Sequence, residues 1–261
     1  MVVLITGASA GFGAACAREF VARGAKVIIT ARREERLLAL QRELGESSCA
    51  IIAQDIADTT TLESKLTATL DSRSWKLDVL VNNAGLALGI APAYACEIGD
   101  WERMVEINIL ALIRLTHFVL PGFVAQKSGH IINIGSIAGS YPYPGGNVYG
   151  ASKAFVKQFS LNLRADLYDK NIRVTDIEPG LAGGSEFSLV RFKGDEQRAA
   201  DLYRDTAPLL PEDIAQAVCF AAFAPSHVNI NRLELMPTAQ APAALNVHKI
   251  SQNAPESKGM Q

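Results

Sequence analysis

Four cysteines and four histidines are all that the 261 residues hold, and both shortages exclude chemistry. Cys16, Cys49, Cys96 and Cys219 stand far apart with no CxxC among them, so neither a disulfide framework nor a thiol-redox pair is encoded. His117, His130, His227 and His248 form no cluster and no Cys/His pairing at zinc spacing, which leaves no metal-ligand set. A basic excess is also missing. The 25 Lys and Arg face 27 Asp and Glu, a net charge of −2, and without a positive field a nucleic-acid partner is not expected. The apolar start, Met1-Val2-Val3-Leu4-Ile5, runs straight into glycines and is too short for a signal h-region. No run is expected to approach the ~18 apolar residues that a membrane span requires. These absences predict a cytoplasmic chain with reduced, mostly buried thiols, and no metal, nucleic-acid or membrane partner.

What is present is globular: 49% of residues are hydrophobic and 20% charged, and the length suits one α/β domain better than two. A chain of this size buries most of its unfolded surface without disulfides or metals. Short β-branched runs alternate with longer amphipathic stretches. Val2–Ile5, Lys26–Thr30, Cys49–Gln54, Val79–Val81, His130–Ile134 and Arg173–Ile177 read as buried strands, with a seventh at Arg232–Met236. Gly13–Arg23, Glu34–Leu44, Thr60–Leu70 and Trp101–Leu120 read as helices. This alternation implies right-handed βαβ units and a Rossmann-type, doubly wound parallel sheet of about seven strands, with helices on both faces. Nothing divides residues 1–236, which are expected to form one domain. Residues 237–261 are polar without a period and are expected to be a C-terminal tail, or an arm that docks on a neighbouring subunit.

The first strand leads directly into Thr6-Gly7-Ala8-Ser9-Ala10-Gly11-Phe12-Gly13 and then a helix. Glycines at 7, 11 and 13 let the backbone turn tightly and approach a pyrophosphate, and the helix N-terminus adds free N–H groups and positive dipole. The spacing differs from GxGxxG, so the mechanism carries over better than the pattern. After the second strand come Ala31-Arg32-Arg33. An acid is usual here when the ribose 2′-hydroxyl is bound. Two arginines suit a 2′-phosphate instead, so NADP(H) is expected over NAD(H), although the pair also opens a helix.

Strand five ends in Gly135-Ser136. Tyr149 follows thirteen residues later and Lys153 four after that. Positions four apart share a helix face, so phenol and ammonium can enter one site. A tyrosine titrates too high for base work at neutral pH, and a nearby ammonium lowers it. Ser136 can hold the substrate oxygen beside Tyr149, which protonates a developing alkoxide in reduction and removes the proton in oxidation. YxxxK alone is common; its order on one βα framework gives it weight.

These pieces, with Asn82-Asn83-Ala84-Gly85, Asn108 and Pro179-Gly180, resemble the short-chain dehydrogenase/reductase family over nearly the whole chain. The resemblance implies Ser136, Tyr149, Lys153 and Asn108 as the catalytic group, with Asn108 helping to hold a water that links the lysine to solvent. It implies adenine contacts at Asp55 and Ile56 and an adenine-ribose border at Asn82. Further cofactor contacts are implied at Gly7, Ser9, Ala10, Gly11, Phe12, Gly13, Ala84, Gly85, Tyr149, Lys153, Pro179, Gly180 and Ala182. A nicotinamide and substrate lid is implied near 181–210. Read alone, Asn108 is a buried amide that needs partners.

A narrower resemblance is to bacterial NADP-dependent 3-hydroxy acid dehydrogenases, carried by Gly85–Gly89, Tyr143–Tyr149, Glu178–Leu181, Gly183–Phe187, Val190–Asp195 and Leu245–His248. It implies oxidation of serine, allo-threonine, 3-hydroxyisobutyrate or 3-hydroxypropionate. A sister group reducing sulfoacetaldehyde to isethionate shares Gly135–Gly139 and Val148–Ser160. Either substrate is a small anion, for which Arg191 or Lys193 offers a cation. With Ser136, Tyr149 and Gly180, Arg191 is the expected substrate contact. A non-catalytic NADP sensor is the remaining alternative, and it should have lost Tyr149 or Lys153. Apolar surplus on Trp101–Val124 and Ser152–Tyr168, with Phe155, Phe159, Leu163 and Leu167 at helical spacing, is expected to serve partly core packing and partly pairing across a two-fold interface, and the family resemblance implies a homotetramer.

Overall fold

The computed structural model describes residues 1–242. Its strands are β1 (Val2–Thr6), β2 (Lys26–Ala31), β3 (Cys49–Ala53), β4 (Val79–Asn82), β5 (Gly129–Ile134), β6 (Ile172–Pro179) and β7 (Arg232–Leu235). They form one parallel sheet in the order β3-β2-β1-β4-β5-β6-β7. Every residue of β1, β4 and β5 is buried, as it must be in a sheet covered on both faces. Alternate side chains serve two cores, as the period of a strand dictates. Val3 and Ile5 join Phe20, Ile29 and Val218 on one face, whereas Val2 and Leu4 join Leu66, Leu115 and Leu163 on the other. The first face is covered by α1 (Gly11–Ala22), α2 (Glu34–Leu44) and α9 (Pro211–Ala222), the second by α3 (Thr59–Arg73), α5 (Leu112–Gln126) and α6 (Asn147–Leu167). The chain runs outward from β1 to β3 and returns on the other side of β1 as β4, opening a crevice at the carboxyl ends of these strands, where ligands bind in such sheets.

The expected helix Trp101–Leu120 is interrupted. α4 (Ile98–Val105) gives way to a π-helical turn at Glu106–Ala111 before α5. Against the sequence expectation, the whole run Ile98–Gln126 is by length and composition long and apolar enough to cross a membrane. Here Leu112, Leu115, Val119 and Phe123 are buried, and all but Leu112 belong to the core beneath the sheet.

Beyond β6 the lid makes an excursion through α7 (Phe187–Arg191) and α8 (Glu196–Asp201). Its base is pinned where Gly183 N donates to Leu209 O at 2.8 Å and Leu209 N to Leu181 O at 2.9 Å. After β7 the chain folds back on itself, and Leu181 N donates to Gln240 Oε1 at 2.8 Å. The Leu245–His248 stretch and the rest of the tail lie outside the described residues.

Candidate active site

The glycines after β1 do three different jobs. Gly7 and Gly11 have φ of +67° and +54°, a left-handed backbone that favours glycine. Gly11 also lets the lid approach, since a Cβ there would lie 2.8 Å from Ser185 Cβ. Gly13 corrects the expectation of ligand approach. It is buried, and a Cβ would lie 2.6 Å from both Gly7 O and Asn83 Nδ2, so it seats the loop against α1. Gly7, Ser9, Ala10, Gly11 and Phe12 line a groove of about 680 Å³. α1 begins at Gly11 without a side-chain cap, leaving N–H groups for an anion.

Arg32 and Arg33 line the same groove, as do Asp55 and Ile56. Arg33 Nη2 donates to Ser9 Oγ at 3.0 Å. Its Nη1 lies 2.7 Å from Glu186 Oε2, and Arg36 reaches the other oxygen at 3.0 Å. Arg33 foremost, then Arg36, hold the Glu186 carboxyl below its ordinary range. Glu186 comes from the lid, and the linear order of residues gave no sign that it meets α2. Asp55 is fixed by Ala57 N at 3.0 Å and Arg103 at 3.1 Å.

The expected ribose border at Asn82 is a correction. Asn82 closes β4 facing the α5 and α6 side, and its Nδ2 donates to Thr116 Oγ1 at 3.0 Å and Asn133 Oδ1 at 2.9 Å. Its neighbour Asn83 turns to the groove instead, with Nδ2 donating to Thr6 O at 2.8 Å. Thr6 Oγ1 accepts from Asn83 N at 3.0 Å and Ala84 N at 2.9 Å, tying the ends of β1 and β4 together. Adjacent residues leave a strand on opposite faces, so ending β4 at Asn82 sends Asn82 and Asn83 to opposite sides.

Ser136, Tyr149 and Lys153 converge on the groove, with Ala84, Gly85, Pro179, Gly180 and Ala182 around them. Ser136 Oγ accepts from Ala138 N at 3.1 Å. Lys153 Nζ donates to Ile134 O at 2.7 Å and lies 5.9 Å from the centre of the Tyr149 ring. Burial pushes the Tyr149 phenol up to about 12; the Ser136 hydroxyl opposes this, Tyr143 adds to it and Arg191 opposes it. The expected lowering by the Lys153 ammonium is not what sets the phenol here: desolvation dominates, and the groups that oppose it are Ser136 and Arg191. Burial also lowers Lys153 to about 8, against the pull of Asp176.

Asn108 does not line the groove. Its Oδ1 accepts from Leu86 N at 2.9 Å, and its Nδ2 donates to Leu86 O at 2.9 Å and Ser152 Oγ at 3.0 Å. The π turn thus braces the segment after β4 against α6. Arg191 does line the groove. Its Nη2 donates to Tyr143 Oη at 2.7 Å, and its Cζ lies 5.7 Å from the Tyr149 ring centre. The other offered cation, Lys193, is exposed and pairs with Asp100 at 2.8 Å away from the groove.

The model of the short chain dehydrogenase family matches residues 1–188. The chain belongs to that family. It is 56% identical over 250 residues to an NADP-dependent 3-hydroxy acid dehydrogenase of Salmonella typhi, covering 95% of this chain and 100% of the relative. A serine 3-dehydrogenase of Agrobacterium fabrum is 49% identical over 249 residues, covering 95% and 98%. The structure of a closed serine dehydrogenase complexed with NADP+ superposes with a TM-score of 0.90 at 53% identity, covering 96% of this chain and 100% of that one. A serine dehydrogenase from Escherichia coli gives 0.81 at 48%, covering 92% and 100%.

This short-chain dehydrogenase is an oxidoreductase of hydroxyl groups, and its groove fits a dinucleotide. The cradle around Gly7 and Gly11 admits no Cβ without a clash, α1 starts at it with no side-chain cap, and Arg32 and Arg33 on the groove wall would supply cations for a 2′-phosphate.

Proposed function

We propose that this NADP-dependent dehydrogenase interconverts a small 3-hydroxy acid, of the serine or allo-threonine type, with its 3-oxo acid. The observation that carries the reading is Arg191, a half-buried guanidinium beside Tyr149, oriented by Tyr143 Oη at 2.7 Å and Gly89 O at 3.3 Å. A carboxylate close to the reacting carbon would meet this planar fork while its hydroxyl lies at Tyr149. The relatives named for 3-hydroxy acids and serine support the same class. Four free cysteines suit a cytoplasmic setting.

The bound cofactor supplies the hydride chemistry. Ser136 orients the substrate oxygen, Tyr149 holds or accepts the proton at that oxygen, and Lys153 is the cation behind the phenol. Asn108 keeps α6 in register with the segment after β4, and the lid excludes water.

The test is kcat/KM for NADP-linked oxidation of serine and allo-threonine, compared with NADPH-linked reduction of sulfoacetaldehyde, in wild type and Arg191→Met. Higher efficiency on hydroxy acids is expected, with the variant raising KM roughly 10- to 100-fold for acids, as loss of a charge-assisted hydrogen bond implies. A neutral alcohol should lose far less. Preference for sulfoacetaldehyde would overturn the substrate class, and equal losses on acid and neutral substrates would remove Arg191.

A further inference from the structure

β6 carries two acids on one face. Asp176 and Glu178 stand two residues apart in a strand, so both side chains leave the sheet on the side covered by α6. Asp176 is 2% exposed and Glu178 0%. None of their four carboxylate oxygens has a hydrogen-bond partner among the described residues. Arg232 Nε approaches Glu178 Oε2 at 3.6 Å from the solvent side. Asp176 presses on the catalytic strand end. A Cβ on Gly135 would overlap Asp176 Oδ1, and Gly135 joins Ser136 to Ile134, whose carbonyl holds Lys153. The charged and titratable groups around the pair are Lys153 and Lys157 from α6, Arg232 and Glu234 from β7, and Tyr141, which donates to Glu234 at 3.0 Å. Across the ladder β5 offers only the neutral Asn133.

Two neighbouring carboxylates in a dry layer do not both ionise, because each charge raises the cost of the other. We propose that Asp176 and Glu178 share one proton near neutral pH, and that the single charge they keep holds Lys153 as an ammonium behind Tyr149. They act as positioning residues, and this role rests on the reading of Lys153 given above. Burial, then Glu178, holds Asp176 well above the ordinary carboxylate range. Burial likewise raises Glu178, against Arg232.

The first test does not involve activity. Carboxylates raised in the folded state contribute stability that is complete below their unfolded value and is lost as pH rises through the folded one. Between about pH 5 and about pH 8, wild type should therefore lose stability relative to Asp176→Asn and Glu178→Gln. The difference in Tm should open by about 3 °C or more. Parallel Tm curves for all three proteins would overturn the shared proton.

The second test is the alkaline limb of the kcat profile. Read in the reducing direction, Asp176→Asn leaves the single charge on Glu178, whereas it is Asp176 that acts on Lys153, and should move the limb down by about half a pH unit or more; Glu178→Gln puts the charge wholly on Asp176 and should move it up. Shifts in the same direction, or none, would overturn the link to Lys153. Lys153→Met separates the two layers. Retained activity would remove the catalytic reading, while the melting curves of the acid variants would still decide the shared proton.

Discussion

Burial moves Tyr149 and Lys153 in opposite directions for one reason, since it penalises whichever form is charged. With the phenol pushed up to about 12, the phenolate is scarce at neutral pH. Hydroxy acid oxidation, which needs that base, should rise between about pH 6 and about pH 8, below the loss of the Lys153 ammonium, while reduction, which needs the phenol, should not. A flat oxidation profile would remove Tyr149 as the base. Tyr149→Phe should lower kcat roughly 100- to 10,000-fold with little change in Tm, because the ring keeps its tilted contact with Phe187 at 5.7 Å. Steady-state rates and thermal melts on the same samples decide this. The spacing of Tyr149 and Lys153 was legible in the sequence because a helix makes residues four apart neighbours. The choice between Asn82 and Asn83 was not, because it depends on which residue ends β4 and which face that residue takes.

The lid is held at several places, Arg191 on Tyr143 and Lys193 on Asp100 among them. Its base is closed by backbone bonds between Leu181 and Leu209, and its far side by Glu186 between Arg33 and Arg36. We propose that a 2′-phosphate, which Arg33 would pair, competes with Glu186 for that guanidinium. Glu186→Gln should therefore lower Kd for NADP+ by up to about five-fold, the range of a half-exposed ion pair, and leave NAD+ nearly unchanged. Fluorescence titration with each cofactor checks it, and an equal effect on both would sink the competition. The sequence placed a lid at 181–210 by resemblance. It gave no sign that the lid's acid reaches α2, since the two lie about 150 residues apart and no local period relates them.

At the scale of the whole molecule, the outer sides of two helical runs remain apolar. Leu110 is 36% exposed, Val124 37%, Phe155 36% and Leu161 41%, while Leu163 and Leu167 of the same helical pattern are buried in the core. We propose that this surface pairs copies of the chain in a homotetramer, since hydrophobic residues left outside a core mark interfaces. Leu161→Glu should reduce the mass measured by light scattering to that of a dimer or monomer, with the far-UV spectrum unchanged. A variant that keeps the wild-type mass would place the interface elsewhere.

What the sequence determined alone is whatever a local period or a short-range turn can specify. Seven strands, the helices that follow β1, β2 and β3, the glycine loop and the Tyr149–Lys153 pair follow from alternation, helical spacing and turn chemistry, whereas α9 and the π turn within Trp101–Leu120 were not read from these signals. Only the tertiary structure decided which asparagine faces the groove, that Asn108 sits in a π turn, that Glu186 bridges two arginines, and that Asp176 and Glu178 are buried behind Lys153. Each of these depends on groups brought together from distant parts of the chain. Burial then sets their charge through desolvation, a quantity no single stretch of residues encodes.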